Sequence, residues 1–301
     1  MAGIMVSGGF ASLLRTELAG VILGAYKERP LEYAMWANVS DMETNPELFQ
    51  KVSGLGTALE MGEGDTFPLD DITLGGTKSY QVRNYGKAAE FTYRLWRDEK
   101  YGIMRDVAGE LGRSLRHKQE VVGHAPLNNA FDNAFPGFDG VSLCNTAHPA
   151  YAEGGVATAN RPSPDIGFGI TALQNSVIRF EGMTNDRGLP MLMSPSLVIT
   201  TVFNRYLARE ILGSGGRPFS PNNEINSLVE DDFKLMISHY LTTQTAWFVA
   251  TAKGVHDIHY KWRDRPSFDS FDDPWTKNAI FTGFEAMDSG FGDFRGIDGS
   301  F

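Results

Sequence analysis

The stretch from Phe49 to Tyr93 constrains the chain most. Gly54, Gly56, Gly62, Gly64, Gly75, Gly76 and Gly86 interrupt it. Between them lie the strand-like runs Thr57–Met61, Ser79–Asn84 and Ala88–Arg94, with Pro68, Asp70 and Asp71 near the middle. The pattern predicts a long two-stranded hairpin with a polar, glycine-rich tip. Its apolar content is low, and two strands alone are marginal in water. Such a hairpin needs a partner surface.

The start of the chain poses the same problem. Ser12 to Glu28 carries Leu13, Leu14, Leu18, Val21, Ile22 and Tyr26 at helical spacing, which predicts one apolar helix face. Pro30 ends it. With nothing before it in sequence, this helix must dock on its own body or on a neighbour.

Arg97 to Ala125 is the clearest predicted helix, a rod of roughly 40 Å. Tyr101, Met104, Val107, Ala108, Leu111, Leu115 and Val122 keep the period, and Pro126 stops the run. Asp98 can charge its start. Gly102, Gly109, Gly112 and Gly123 weaken the helix and let other backbone pass close by.

Phe135 to Arg161 reads as loop. Helices are expected at Thr171–Met183 and Phe203–Gly213, the second closed by Gly213. Strands are expected at Ser196–Val202, Phe233–Tyr240, Ala246–Ala250, Asp257–Trp262 and Asn278–Met287. An acidic loop, Asp264–Pro274, is expected to separate the last two. Helices and strands without regular alternation predict an α+β fold.

Composition excludes some classes. The 301 residues are 42% apolar and 21% charged, which suits a buried core and not a disordered chain. The net charge is −10 and no basic stripe is visible, so a dedicated nucleic-acid binder is not expected. A single cysteine, Cys144, rules out an internal disulfide and a cysteine-based zinc site. Leu18 to Tyr26 is too short to cross a membrane, and Met1 to Gly20 lacks a signal-peptide pattern. A chain made in the cytoplasm is the expectation.

The order of these parts resembles the major capsid proteins of tailed bacteriophages, which share the Hong Kong 97-type fold. Local runs agree with that resemblance. They are Leu143-Cys144-Asn145-Thr146-Ala147-His148-Pro149, then Gly154-Gly155, Asn160-Arg161-Pro162 and Gly188-Leu189-Pro190. Pro195 to Ile199 followed by a helix ending Ala208 to Leu212 fits the same layout. Among subgroups the chain is most similar to the head proteins of Mu-like phages.

The resemblance implies an N-terminal arm (1–29), a first peripheral part (30–56), an extended loop (57–93) and a peripheral part with a spine helix (94–160). An axial domain (161–254) and returning peripheral strands (255–301) follow. The arm would lie on a neighbouring subunit, and the loop would reach across to the next. Pentamers and hexamers would build an icosahedral head enclosing double-stranded DNA. Portal and scaffold proteins, and possible decoration proteins, would be the other partners. Because Met1 precedes the arm almost directly, a separate scaffold or none is implied. Cross-linking through Lys78 or Lys87 and Asn278 is less expected than lysines that solvate a polar loop.

The implied inter-subunit contacts are Leu14, Leu18, Pro68, Asp70, Asp71, Lys78, Arg94, Arg97, Phe268, Phe271 and Trp275. Phe268, Phe271 and Trp275 flank an acidic run and would be odd on a free surface. The acids Glu230-Asp231-Asp232 and Asp269 to Asp273 would be solvated, or would meet Arg94, Arg97 or Arg263 of another copy.

No catalytic, cofactor or metal residue is assigned. Cys144 and His148 read as a buried thiol and a loop-fixing histidine, since no orienting third group is announced. His256 and His259 would point to opposite faces of a strand. His117 and His124, two turns apart on the long helix, are expected to make ordinary side-chain contacts. Gly54-Leu55-Gly56 and Gly290-Phe291-Gly292 complete no phosphate-binding pattern and read as turns. The rivals are an encapsulin-like compartment housing an enzyme, an unrelated enzyme, and a tail or baseplate protein.

Overall fold

A computed structural model describes residues 7–97, 101–150, 157–218, 220 and 224–301. Asp98 and the pair Gly154-Gly155 lie outside them. The chain begins with helix α1 (Ser7–Lys27), followed by strands β1 (Asn38–Asp41), β2 (Glu47–Val52), β3 (Leu74–Tyr80) and β4 (Arg83–Phe91). Helices α2 (Tyr93–Arg97), α3 (Tyr101–Gly123) and α4 (Ala125–Asn128) come next. Then follow α5 (Ile170–Glu181), β5 (Pro195–Thr201), α6 (Arg205–Gly213), β6 (Lys234–Ser238) and β7 (Trp247–Thr251). Two long strands, β8 (Ile258–Asp272) and β9 (Ala279–Phe291), and a short β10 (Ile297–Ser300) end the chain.

These strands form three sheets. One has the order β1-β8-β9-β4, the second β10-β7-β5-β6, and the third pairs β2 with β3. Helix α3 lies across the first sheet. Met104, Ala108 and Leu111 bury their side chains with Phe91, Ala279 and Phe281 of that sheet. Helices α5 and α6 cover the second sheet, where Leu173, Phe180 and Ile211 meet Val198, Trp247 and Val249. A third cluster joins the two sheets through Trp36, Tyr260, Trp262, Phe248 and Met287. Each such fully buried side chain contributes about 1.5–3 kcal/mol.

The helix α1 question is settled on the chain itself. Leu18 and Ile22 are buried with Met104, Ala108 and Leu111 of α3. Gly112 permits the approach, because a Cβ there would lie 2.4 Å from the Ile22 carbonyl oxygen. Gly123 likewise makes room for the Tyr33 ring, whereas Gly102 has open space around it. Leu18 is therefore corrected as an inter-subunit contact: its face is completed by α3. The side chain of Leu14 lies outside the described residues. Val107 is also corrected, being 40% exposed and off the buried face.

Two expected elements change shape. The hairpin expected within Phe49–Tyr93 is shorter than that stretch. Strands β2 and β3 pair antiparallel from Glu47↔Tyr80 to Val52↔Leu74, and residues 53–73 between them form neither strand nor helix. Strand β4 joins β9 instead. The acidic segment Asp264–Pro274 is not a loop over most of its length, because β8 runs on to Asp272. Beyond Trp262, β8 has lost β1 as a partner and is an edge strand. Pro266 sits where the β8–β9 register shifts, so its missing N–H disturbs no ladder bond there.

Candidate assembly surfaces

The segment 53–73 is held at its neck and displayed beyond it. Ser53 N donates to Thr73 O at 2.9 Å, and Thr73 N donates to Ser53 Oγ at 3.0 Å. Two aspartates then organise backbone turns. Gly56 N donates to Asp70 Oδ2 at 2.7 Å, and Gly62 N donates to Asp65 Oδ2 at 2.6 Å. Such side-chain acceptors replace the ladder that the segment lacks. Phe67 and Leu69 are 84% and 98% exposed on either side of exposed Pro68. Two large apolar side chains held out in this way are the mark of a contact surface.

Beyond its neck, the same segment is tied to its own chain by Arg187. Arg187, in a turn shaped by Asn185, reaches Asp70 Oδ1 at 3.4 Å and donates to the main-chain oxygen of Asp71. Below it, Lys51 of β2 pairs with Asp186 at 3.3 Å and Asp293 at 2.8 Å. Arg295 completes the group with Asp186 at 2.9 Å and Asp293 at 3.1 Å. Sequence reasoning missed this network. Its one legible signal was Asn185 ahead of Gly188, a turn pattern with a positive-φ glycine.

A second display lies at the turn between β8 and β9. Trp275 is 92% exposed there, and Phe271 is half exposed. Asp273 orders the turn, accepting from Trp275 N at 3.0 Å and Thr276 Oγ1 at 2.6 Å. Those hydrogen bonds hold its carboxyl below the usual carboxylate range. Phe268 differs from both, because its ring meets Tyr26 edge-on at 5.8 Å and packs on the α1–α3 core.

The remaining expected contacts separate. Arg94 is exposed on α2, and the side chain of Arg97 lies outside the described residues. Lys78 is corrected: its ammonium donates to Pro136 O at 2.6 Å and lies 5.4 Å from the Phe291 ring centre. Burial pushes that ammonium below the usual lysine range. Lys87 donates to Ser114 Oγ at 3.1 Å, so neither lysine simply solvates a loop. Asn278 is occupied by Glu90 at 2.6 Å and Tyr93 N at 3.0 Å. Arg263 donates to the main-chain oxygens of Met42 and Glu43 and is spent within the chain.

The chemical constellations have structural roles. Burial pushes the Cys144 thiol well above its usual range, which suppresses the thiolate a nucleophile needs. The His148 ring stacks on Phe294 at 3.6 Å, with Asp139 and Asn160 at its two nitrogens. His256 is buried, while His259 lies 2.6 Å from Asp257 Oδ1. His117 and His124 both contact the Tyr240 ring. Gly290 lies within β9 opposite His259 and is no turn residue.

An α1 helix, an extended loop, a long helix on a sheet and a second sheet with two helices make this the Hong Kong 97-type fold. The sequence profile of the phage capsid protein family matches residues 75–297, about three quarters of the chain. The chain belongs to that family, whose members are shell-forming structural proteins. A comparison with curated proteins finds no match.

Solved structures agree on the fold. The capsid structure of the cyanophage P-SCSP1u is 11% identical, covers 87% of this chain and 85% of its own, and superposes with a TM-score of 0.59. The virus-like particle from Pyrococcus furiosus is 12% identical, covers 95% and 98%, and scores 0.54. The procapsid of bacteriophage JBD30 is 15% identical, covers 98% and 76%, and scores 0.53.

Proposed function

We propose that copies of this chain assemble as pentamers and hexamers into an icosahedral phage head that contains double-stranded DNA. The exposure of Phe67 and Leu69 on the 53–73 segment carries the reading. A solitary protein gains nothing from holding such side chains in water, whereas a neighbour that covers them gains their burial. Pro68, Asp70, Asp71, Arg94, Phe271 and Trp275 are the proposed contacts, with Phe268 supporting them from below. The division into peripheral parts and an axial domain (161–254) belongs to the same proposal. So do a virion location after cytoplasmic assembly, portal and scaffold partners, decoration proteins, and a non-catalytic role.

The net charge of −10 suits containment of DNA more than a grip on it. Size-exclusion chromatography and negative-stain microscopy of the purified protein test the reading. Closed shells are expected. A monomer at every concentration overturns it, and tubes or open rings indicate a tail protein. Shells filled with a cargo enzyme would turn the reading to an encapsulin-like compartment.

A further inference from the structure

Strand β4, the end of β9 and helices α3 and α4 enclose a cleft of about 370 Å³. Lys78, Arg83 and Lys118 line it against a single carboxylate, Asp288. Tyr85, Phe135 and Phe291 supply rings. Lys78 is engaged with Pro136 O and the Phe291 ring, so Arg83 and Lys118 are the two cations that face the opening, a local excess of positive charge in a chain of net charge −10. The Lys118 ammonium sits 4.6 Å from the Tyr85 ring centre, engaged by a ring.

The turn after β8 has the opposite character. Asp269, Asp272 and Asp273 outnumber Lys277, and Trp275 stands out beside them. Hydrogen bonds from Trp275 N and Thr276 Oγ1 to Asp273 fix the turn before any partner arrives, which lowers the entropy lost on docking. The turn cannot reach its own cleft. Twelve strand steps of β9 separate Ala279 from Phe291, roughly 40 Å at strand spacing. The 53–73 segment is also acidic and apolar, but Arg187 already engages the Asp70 carboxylate and the main-chain oxygen of Asp71.

We propose that the cleft of one subunit receives the Phe271–Trp275 turn of a second copy, the indole entering among the rings and the aspartates meeting Arg83 and Lys118. This deepens the shell reading and rests on it. The contact is head-to-tail, joining different surfaces of identical chains, so it closes into a ring or continues from copy to copy.

Charge reversal and cross-linking test it. Arg83→Glu with Lys118→Glu should lower the assembled fraction at least tenfold while the subunit's circular dichroism stays unchanged. Asp272→Lys added to that variant should restore part of the loss. Normal assembly of the first variant, or no recovery in the second, overturns the contact. A benzophenone-bearing amino acid in place of Trp275 supplies an independent readout. In shells mixed from isotope-labelled and unlabelled chains, it should link to peptides containing Tyr85 or Lys118 of the other chain. Links elsewhere overturn the proposal. The same links in rings or tubes would keep the contact and discard the shell, and a persistent monomer would discard both.

Discussion

Asn160 Nδ2 donates to the main-chain oxygen of Ile297 at 2.9 Å, fastening the loop after α4 to a strand 137 residues further along. The same nitrogen donates to Leu143 O at 2.7 Å, and Oδ1 accepts from Asn145 N at 2.8 Å and lies 2.8 Å from His148 Nε2. The side chain is fully buried. Asn160→Ala leaves several buried polar groups unpaired and should cost about 3 kcal/mol or more. Asn160→Asp should cost at least as much, because it turns two donations into repulsions. Urea unfolding of unassembled subunits checks both.

Glu285 should make stability fall as pH rises. Burial pushes its carboxyl up to about 7 from 4.5, against the opposing pull of the Gln119 hydrogen bond and Arg116. Desolvation likewise drives Glu120 up to about 7. The folded chain binds these protons more tightly than the unfolded chain does. Their contribution is therefore complete below about pH 4.5 and is lost as pH passes about 7. Glu285→Gln removes one titration. Relative to the parent, it should gain on the order of 1–2 kcal/mol at pH 8 over its value at pH 4. Equal pH dependence of parent and variant in denaturant melts would refute this.

Gly283 marks the tightest crossing of helix on sheet. A Cβ there would lie 2.4 Å from Leu115 Cδ1 and 3.2 Å from Phe268 Cε1. Gly283→Ala should destabilise by about 1–3 kcal/mol through overpacking. With Leu115→Ala added, the pair should cost less than the sum of the two single changes, because the relieved clash offsets part of the lost packing. Thermal melting of the two single variants and the pair reads the coupling.

Arg187→Ala should loosen the 53–73 segment without unfolding the molecule. The segment's contact with the rest of its chain runs through Asp70 and the Asp71 carbonyl oxygen. The ion pair is partly exposed, so global stability should fall by less than about 1 kcal/mol. Cleavage by a nonspecific protease between residues 53 and 73 should accelerate roughly threefold or more. An unchanged rate would show that the neck at Ser53 and Thr73 alone sets the loop's position.

Deleting residues 58–70 should leave a folded subunit that makes few or fragile shells. The cut must stop short of β3, because Leu74 to Tyr80 are paired with β2 and Lys78 is anchored at Pro136. Normal shells seen by microscopy would refute a bridging role for the segment.

The sequence carried much of this architecture. Periodicity placed α3, and Pro126 marked its end close to Gly123. Strand β7 is apolar at every position except its last, and it appeared as a strand because it is buried throughout. The tail of β8 was illegible for the converse reason. An exposed edge strand tolerates Asp, Ser and even Pro266, which read as a loop. Helix α1 left two docking surfaces open, and only the Gly112 approach selects one. The sequence reading took the tip of 53–73 as polar and did not single out the exposed Phe67 and Leu69, and Arg187 lies more than a hundred positions away from Asp70 with no local pattern to link them.

The Lys51–Asp186–Arg295–Asp293 group locks β2, at the root of the extended segment, to the turn after α5 and to the link between β9 and β10. Swinging the β2–β3 pair away from those segments would strip partners from charges largely shielded from water, which is costly. The root of the extended segment is thereby fixed in direction relative to its own subunit. In a shell-forming protein, an arm whose root cannot swing freely would reach any neighbour along one set direction.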